Sequence, residues 1–132
     1  MTTYMRPSYV VGRIVNPLVA ALGAKPGLAT RGHVSGRWRT VPVNVLDRGG
    51  RRYLVSTRGE AFWVRNLRHH PEAELRHRGR VERVRTALVP DAERPALIAA
   101  YLERWFGEAG AYFRRLPDPS DHPVFELEPA AP

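Results

Sequence analysis

Two short stretches of this 132-residue chain concentrate groups that can hold an anion. In Arg31-Gly32-His33-Val34-Ser35-Gly36-Arg37, two glycines four apart enclose Ser35, and Arg31, Arg37 and Arg39 surround them. Such a loop lets backbone N–H groups approach an anion while guanidinium forks neutralise it. It also suits a plain basic surface loop. Ser56-Thr57-Arg58-Gly59 offers hydroxyls, a cation and the free N–H groups of a following helix start. Trp63 and Asn66 come next, three apart, so they share a helix face. An aromatic and an amide on one face can frame a planar heterocycle; a core tryptophan beside an asparagine capping a backbone group fits equally. Pro42 removes one ladder donor from a strand and marks an edge or a bulge. Tyr112 suits a proton donor, a stacking ring or a core tyrosine.

Other chemistries find little support. There is no cysteine, which excludes a disulfide framework, a thiolate nucleophile, a Cys-ligated zinc and an iron–sulfur cluster. His69 and His70 are adjacent and point to different faces, and no carboxylate has metal spacing to them or to His77. We expect no metal. No Ser-His-Asp order stands out, and Glu82 and Glu103 form no evident acid–base pair.

Charge is distributed unevenly. Residues 1–71 hold twelve Lys and Arg against only Asp47 and Glu60, whereas residues 72–132 hold nine against eleven acids. The first half therefore turns a basic surface toward something anionic. Nucleic acid, a membrane surface and a phosphorylated cofactor are the candidate partners. Nucleic acid is not expected, because Trp38 is the one evident aromatic among the basic residues and it falls in a strand.

The elements that must position these groups follow from periodicity. The length is that of one domain, 1–132, with an amphipathic helical segment over 1–23 and the remainder over 27–129. Tyr9, Val10, Ile14, Leu18 and Leu22 recur at helical spacing within 4–23, suiting a helix that caps the core or lies on a membrane surface. From residue 27 the period is two. Strands are predicted over 27–31, 38–46, 52–57, 73–78, 80–89 and 124–128, with a hairpin turn at Asp47-Arg48-Gly49-Gly50. Helices are predicted over 60–69 and 92–106. Asp91 would cap the second, and Gly107 and Gly110 would interrupt it before a shorter piece ending at Leu116. Six mostly antiparallel strands with flanking helices make a mainly β, α+β chain, a small partly closed barrel.

In order and spacing, these stretches resemble the deazaflavin-dependent nitroreductases, also called the coenzyme F420-dependent quinone reductases of actinobacteria. Thr30 to Val43 resembles that family's Gly-x-x-Ser/Thr-Gly-x-x-Arg-x-x-Pro signature. Ser56-Thr57-Arg58-Gly59 with Trp63-Val64-Arg65-Asn66-Leu67 resembles its second block, and His70-Pro71 and Val124 to Pro129 its later landmarks. The resemblance spans about residues 15–129 and implies a split β-barrel of the flavin-reductase type. It implies that Gly32, Ser35, Gly36, Arg37 and Arg39 lie along the cofactor's phosphate and anionic tail, and that Pro42 and Val43 back its ring. Ser56, Thr57, Arg58, Gly59, Trp63 and Asn66 would complete the pocket. Tyr112 matches the last of three family tyrosines and would contact the acceptor or deliver a proton; Phe106 and Ala109 stand at the other two places. His33 and Val34 stand where the family often has Arg-Lys.

The implied activity is hydride transfer from reduced coenzyme F420 to a quinone, nitro compound or activated C=C, with the chemistry mostly the cofactor's own. FMN is the alternative cofactor, since its shorter phosphate needs fewer cations. A non-enzymatic lipid-, membrane- or nucleic-acid-binding domain is the other rival. The expected location is cytoplasmic, with peripheral membrane contact through residues 4–23 as an option. A monomer and a homodimer both fit.

Overall fold

A computed structural model describes residues 25–130, and the helical segment expected over 4–23 lies outside them. The first strand, β1 (Gly27–Arg31), antiparallel to β2 (Trp38–Pro42), is buried over Leu28, Ala29 and Thr30. After β3 (Leu46–Arg48) a two-residue turn leads into β4 (Arg51–Val55). Both turn residues are glycines with positive φ, Gly49 at 60° and Gly50 at 77°. That geometry matches the twist of the flanking strands. Helix α1 (Phe62–His69) follows, then the β5 (Glu72–His77) and β6 (Arg80–Leu88) hairpin, the long helix α2 (Arg94–Arg115) and β7 (Val124–Pro129). The strands form one sheet in the order β2-β1-β5-β6-β7-β4-β3, with every pairing antiparallel. The fold is an α+β split barrel.

Alternating side chains send the two faces of this sheet to two cores. Leu28, Leu54, Val84, Phe125 and Leu127 fill the barrel, plugged by Trp63, Val64 and Leu67 of α1. Tyr53, Val55 and Val124 face outward and bury Leu97, Ile98, Tyr101 and Phe113 of α2. Each apolar side chain buried this way contributes on the order of 1.5–3 kcal/mol.

Three expectations are corrected. The strand predicted over 38–46 is two strands, which makes seven among the described residues. Val43 N–H still donates to Pro26 O at 3.0 Å, but β1 begins at Gly27 and offers no further partner. The chain then crosses to pair with β4 from Leu46 onward. Val43 and Val45 keep their alternation and pack on the barrel core. Pro42 does sit on an edge strand, at its last residue. Secondly, α2 runs through Gly107 and Gly110; its one break is at Trp105, where φ is −123° and ψ 29°. Glycine costs a helix about 1 kcal/mol relative to alanine, which tertiary packing overrides. The Gly110 gap is filled by the Phe106 ring, 2.9 Å from where a Cβ would stand. Thirdly, Asp91 caps nothing: it opens a 3-10 turn ahead of α2, whose N-cap is Glu93, and its carboxylate pairs with Arg94 at 3.0 Å.

Candidate functional site

The β1–β2 loop is held by its own hydrogen bonds. Gly32 N–H donates to Arg37 O at 2.8 Å, Gly36 N–H to Gly32 O at 2.9 Å, and Arg37 N–H to Ser35 Oγ at 3.1 Å. Gly32 is required here, because a Cβ would lie 2.6 Å from Ser35 Oγ and 3.0 Å from Arg37 O. Gly36 sits at φ 73°, in the left-handed region that favours glycine. A buried side chain of α1 ties this loop to the barrel. Asn66 Oδ1 accepts from His33 N–H at 3.0 Å and faces His33 Nδ1 at 2.8 Å, while its Nδ2 donates to Thr30 Oγ1 at 3.0 Å. The amide is thereby consumed in positioning the loop.

The loop and the Ser56 turn present cations without carboxylate partners among the described residues. Arg31, Arg37, Arg39 and Arg58 pair with no carboxylate among the described residues, whereas Arg52, Arg68, Arg76 and Arg85 each pair with a glutamate. The Arg39 guanidinium carbon sits over the Phe62 ring, 4.0 Å from its centroid, where the aromatic face favours a cation. β2 leads away from this loop, and its ends are about 13 Å apart at about 3.3 Å per residue.

At the far end of β2 lies a pocket of about 270 Å³. It gathers Pro42, Val43, Ser56, Thr57, Arg58, Trp63 and Tyr112. Gly32, Ser35, Gly36, Arg37 and Arg39 lie outside it in and just past the loop, Gly59 in the turn behind Arg58, and Asn66 between loop and barrel. Trp63 is buried, with its ring 6.0 Å from Phe125, and turns one edge to the pocket. Ser56 shapes the turn: its Oγ donates to Gly59 O at 2.5 Å and its N–H to Pro123 O at 2.9 Å. Thr57 and Arg58 are thereby presented to the pocket, with Arg58 5.8 Å from the centre of the Tyr112 ring.

Sequence reasoning missed two groups of residues. The fully buried His122 sets its ring nitrogens against Ser56 O at 2.8 Å and Leu116 O at 2.5 Å, stacked on Phe113 at 4.0 Å. It joins the Ser56 turn to the end of α2. The second group is Lys25, Asn44, Tyr101 and Glu108, which line the pocket opposite Thr57. Lys25 Nζ meets Glu108 Oε1 at 2.5 Å, and Asn44 Nδ2 donates to Glu108 Oε1 and to Tyr101 Oη, the latter at 3.0 Å. Partial burial works against the charged Glu108, but the bonds from Lys25 and Asn44 prevail and hold its carboxyl below the usual range. Burial pushes the Tyr101 phenol up, so it stays a neutral donor. The recoverable signal was the stripe Tyr101, Trp105, Glu108 and Tyr112, spaced four, three and four along one helix. No three metal-ligating side chains cluster among the described residues, and no helix there is long and apolar enough to cross a membrane.

A pocket lined by Trp63 and Tyr112 and joined by β2 to arginines without carboxylate partners among the described residues fits a ligand with a flat ring and an anionic tail, the chemistry of a deazaflavin cofactor. Solved structures share the fold. An F420-H2 dependent reductase (FDR-A) matches at 21% identity and a TM-score of 0.58, over 78% of this chain and 92% of its own. HutZ, the heme storage protein of Vibrio cholerae, matches at 17% and 0.60, over 86% and 89%. A nimC/nimA family protein from Clostridium acetobutylicum matches at 19% and 0.54, over 84% and 77%. An F420-H2 dependent reductase and a heme storage protein thus share one architecture, so the fold alone does not choose a ligand. No curated protein matches the sequence. The family model for F420H(2)-dependent quinone reductase, however, matches residues 6–114, and with that span the chain belongs to this family of F420-dependent oxidoreductases.

Proposed function

We propose that this enzyme holds coenzyme F420 with its ring in the pocket at the end of β2 and its anionic tail along the β1–β2 loop. When bound, the reduced cofactor supplies the hydride for a small organic acceptor such as a quinone, nitro compound or activated C=C. The observation that carries the reading is a juxtaposition. Thr57, Arg58, Trp63 and Tyr112 surround one pocket, and β2 joins it to arginines without carboxylate partners among the described residues.

The chain's residues then divide the work. Gly32 and Gly36 let the loop fold tightly on itself and Ser35 pins the turn between them; the N–H groups of Gly32, His33, Gly36 and Arg37 are taken up by bonds within the protein, so the arginines are what meets the anion. Arg37, Arg39 and Arg58 neutralise charge. Pro42, Val43 and Trp63 offer flat apolar contact to the ring. Ser56, Gly59 and Asn66 act by holding the two loops in place. Tyr112, on the face of α2 beside Arg58, contacts the acceptor or gives it a proton.

Titration with coenzyme F420 and, separately, FMN, following ligand fluorescence at two salt concentrations, tests the cofactor. Saturable binding of the deazaflavin, weakened by salt, is expected. Binding of FMN alone overturns the cofactor while keeping the barrel, and binding of neither overturns the reading. Tyr112→Phe is expected to lower turnover well beyond any change in cofactor affinity; equal turnover removes Tyr112 from the reaction.

A further inference from the structure

The pocket wall formed by α2 contains a hydroxyl whose direction is set by a chain of partners. Asn44 Nδ2 has two hydrogens, one donated to Glu108 Oε1 and the other to Tyr101 Oη at 3.0 Å. An amide can normally face either way round. Here the carboxylate decides, because an amide oxygen turned toward Glu108 would meet a charged oxygen. Lys25, 2.5 Å from Glu108, keeps that carboxylate in place. The Tyr101 oxygen is therefore an acceptor from Asn44, and its own O–H proton needs another acceptor. No acceptor among the described residues takes it, although Tyr101 is only 5% exposed and lines the pocket. A buried hydroxyl with an uncommitted proton is an unmade hydrogen bond facing whatever occupies the pocket.

We propose that Tyr101 is the hydrogen-bond donor to an oxygen of the bound acceptor, aimed by the relay from Lys25 through Glu108 and Asn44. This rests on the reading above, with the acceptor stacked against the cofactor ring on the α2 side of the same pocket, and it assigns a role distinct from that of Tyr112. Burial holds the Tyr101 phenol in its neutral, donating form. The relay selects an acceptor with a carbonyl, quinone or nitro oxygen over one that offers only donors, since a donor would leave the Tyr101 O–H without the acceptor it needs.

The relay makes a coupling prediction that packing alone does not. Binding of menadione to the protein without cofactor is followed by quenching of tryptophan fluorescence, Trp63 and Trp105 both being close by. Tyr101→Phe is expected to weaken menadione by about tenfold, the scale of one hydrogen bond, with the protein still folded and coenzyme F420 affinity kept. Glu108→Gln frees the Asn44 amide to turn and is expected to weaken menadione about threefold in the wild-type background and not at all in Tyr101→Phe. Asn44→Asp is the second variant: it keeps the Tyr101 hydroxyl but draws its proton away from the pocket, so it should match Tyr101→Phe. Unchanged menadione affinity in Tyr101→Phe overturns the proposal. So does a Glu108→Gln effect of equal size in both backgrounds, or the absence of saturable quenching in the wild type. Failure of the cofactor reading appears separately, as absent coenzyme F420 binding with the menadione series intact.

Discussion

The groove has two walls, each hung on one buried polar side chain, and they are built differently. The loop wall is local. Gly32, Ser35, Gly36 and Arg37 bond to one another, and Asn66 fastens the loop with bonds to His33 and Thr30. The helical wall is assembled from afar. His122 joins Ser56 to Leu116, and Lys25, Asn44, Tyr101 and Glu108 meet across sequence separations of 57 to 83 residues. The loop wall ends in cations without carboxylate partners among the described residues, while on the helical wall Lys25 is paired with Glu108. An anionic tail gains from the first, and a neutral reacting group fits the second. A site that binds charge at one end and does chemistry at the other separates the two tasks in this way.

Breaking the helical wall should have the largest effect. His122→Ala removes a fully buried ring that stacks on Phe113 and that Ser56 O and Leu116 O both face, so a loss of about 3–5 kcal/mol is expected in urea unfolding. A loss below about 1 kcal/mol would show that the ring joins nothing essential. Asn66→Ala strips the loop wall of its anchor and leaves His33 N–H without its partner. The expected cost is about 2–4 kcal/mol, with faster amide exchange concentrated in residues 32–37. Uniform acceleration across the sheet would contradict a local anchor.

Arg39→Ala should separate binding from folding. It is expected to weaken coenzyme F420 by about 1–3 kcal/mol in a fluorescence titration while costing little stability. Arg85→Ala, in an exposed pair with Glu72, is its control and should change stability by about 0–1 kcal/mol and cofactor affinity not at all. If both arginines behave alike, the contrast between paired and unpaired cations fails. The smallest effect is in pH. The Glu108 carboxyl is held below its usual range in the folded chain, so its contribution is present above the unfolded value near 4.5 and disappears as pH falls through the lower folded one. Because the pair is partly exposed, that contribution is about 0–1 kcal/mol. Glu108→Gln should therefore flatten a small part of the acid limb of stability measured from pH 6 to pH 3, and an unchanged limb would remove Glu108 from the linkage.

Much of the loop wall was legible in advance because its residues are neighbours in sequence. The Gly32 and Gly36 spacing, Pro42 at the edge and the Gly49-Gly50 turn are local conformational requirements that residue type expresses directly. Strand faces were equally readable, since Leu54, Phe125 and Leu127 alternate with residues that face α2. The break at Val43-Asn44-Val45 was not, because the alternation continues unbroken and the ladder stops only where β1 runs out of partners. The bend at Trp105 was misplaced onto Gly107, where a weak propensity lost to packing on Tyr53 and Val124.

The sequence by itself determined the alternation that sorts side chains between two cores, the turn chemistry, the basic first half and the two blocks that mark the family. These rest on backbone preference, periodicity and charge, which act between near neighbours or sum over the whole chain. Only the tertiary structure decided that Asn66 is an anchor, that His122 closes the Ser56 turn on α2, and that Tyr101 meets Asn44 in the pocket wall. Each depends on which distant partner satisfies a buried polar group. That choice follows from how the elements pack, because a buried donor or acceptor left without a partner costs about 1–3 kcal/mol and the fold must supply one.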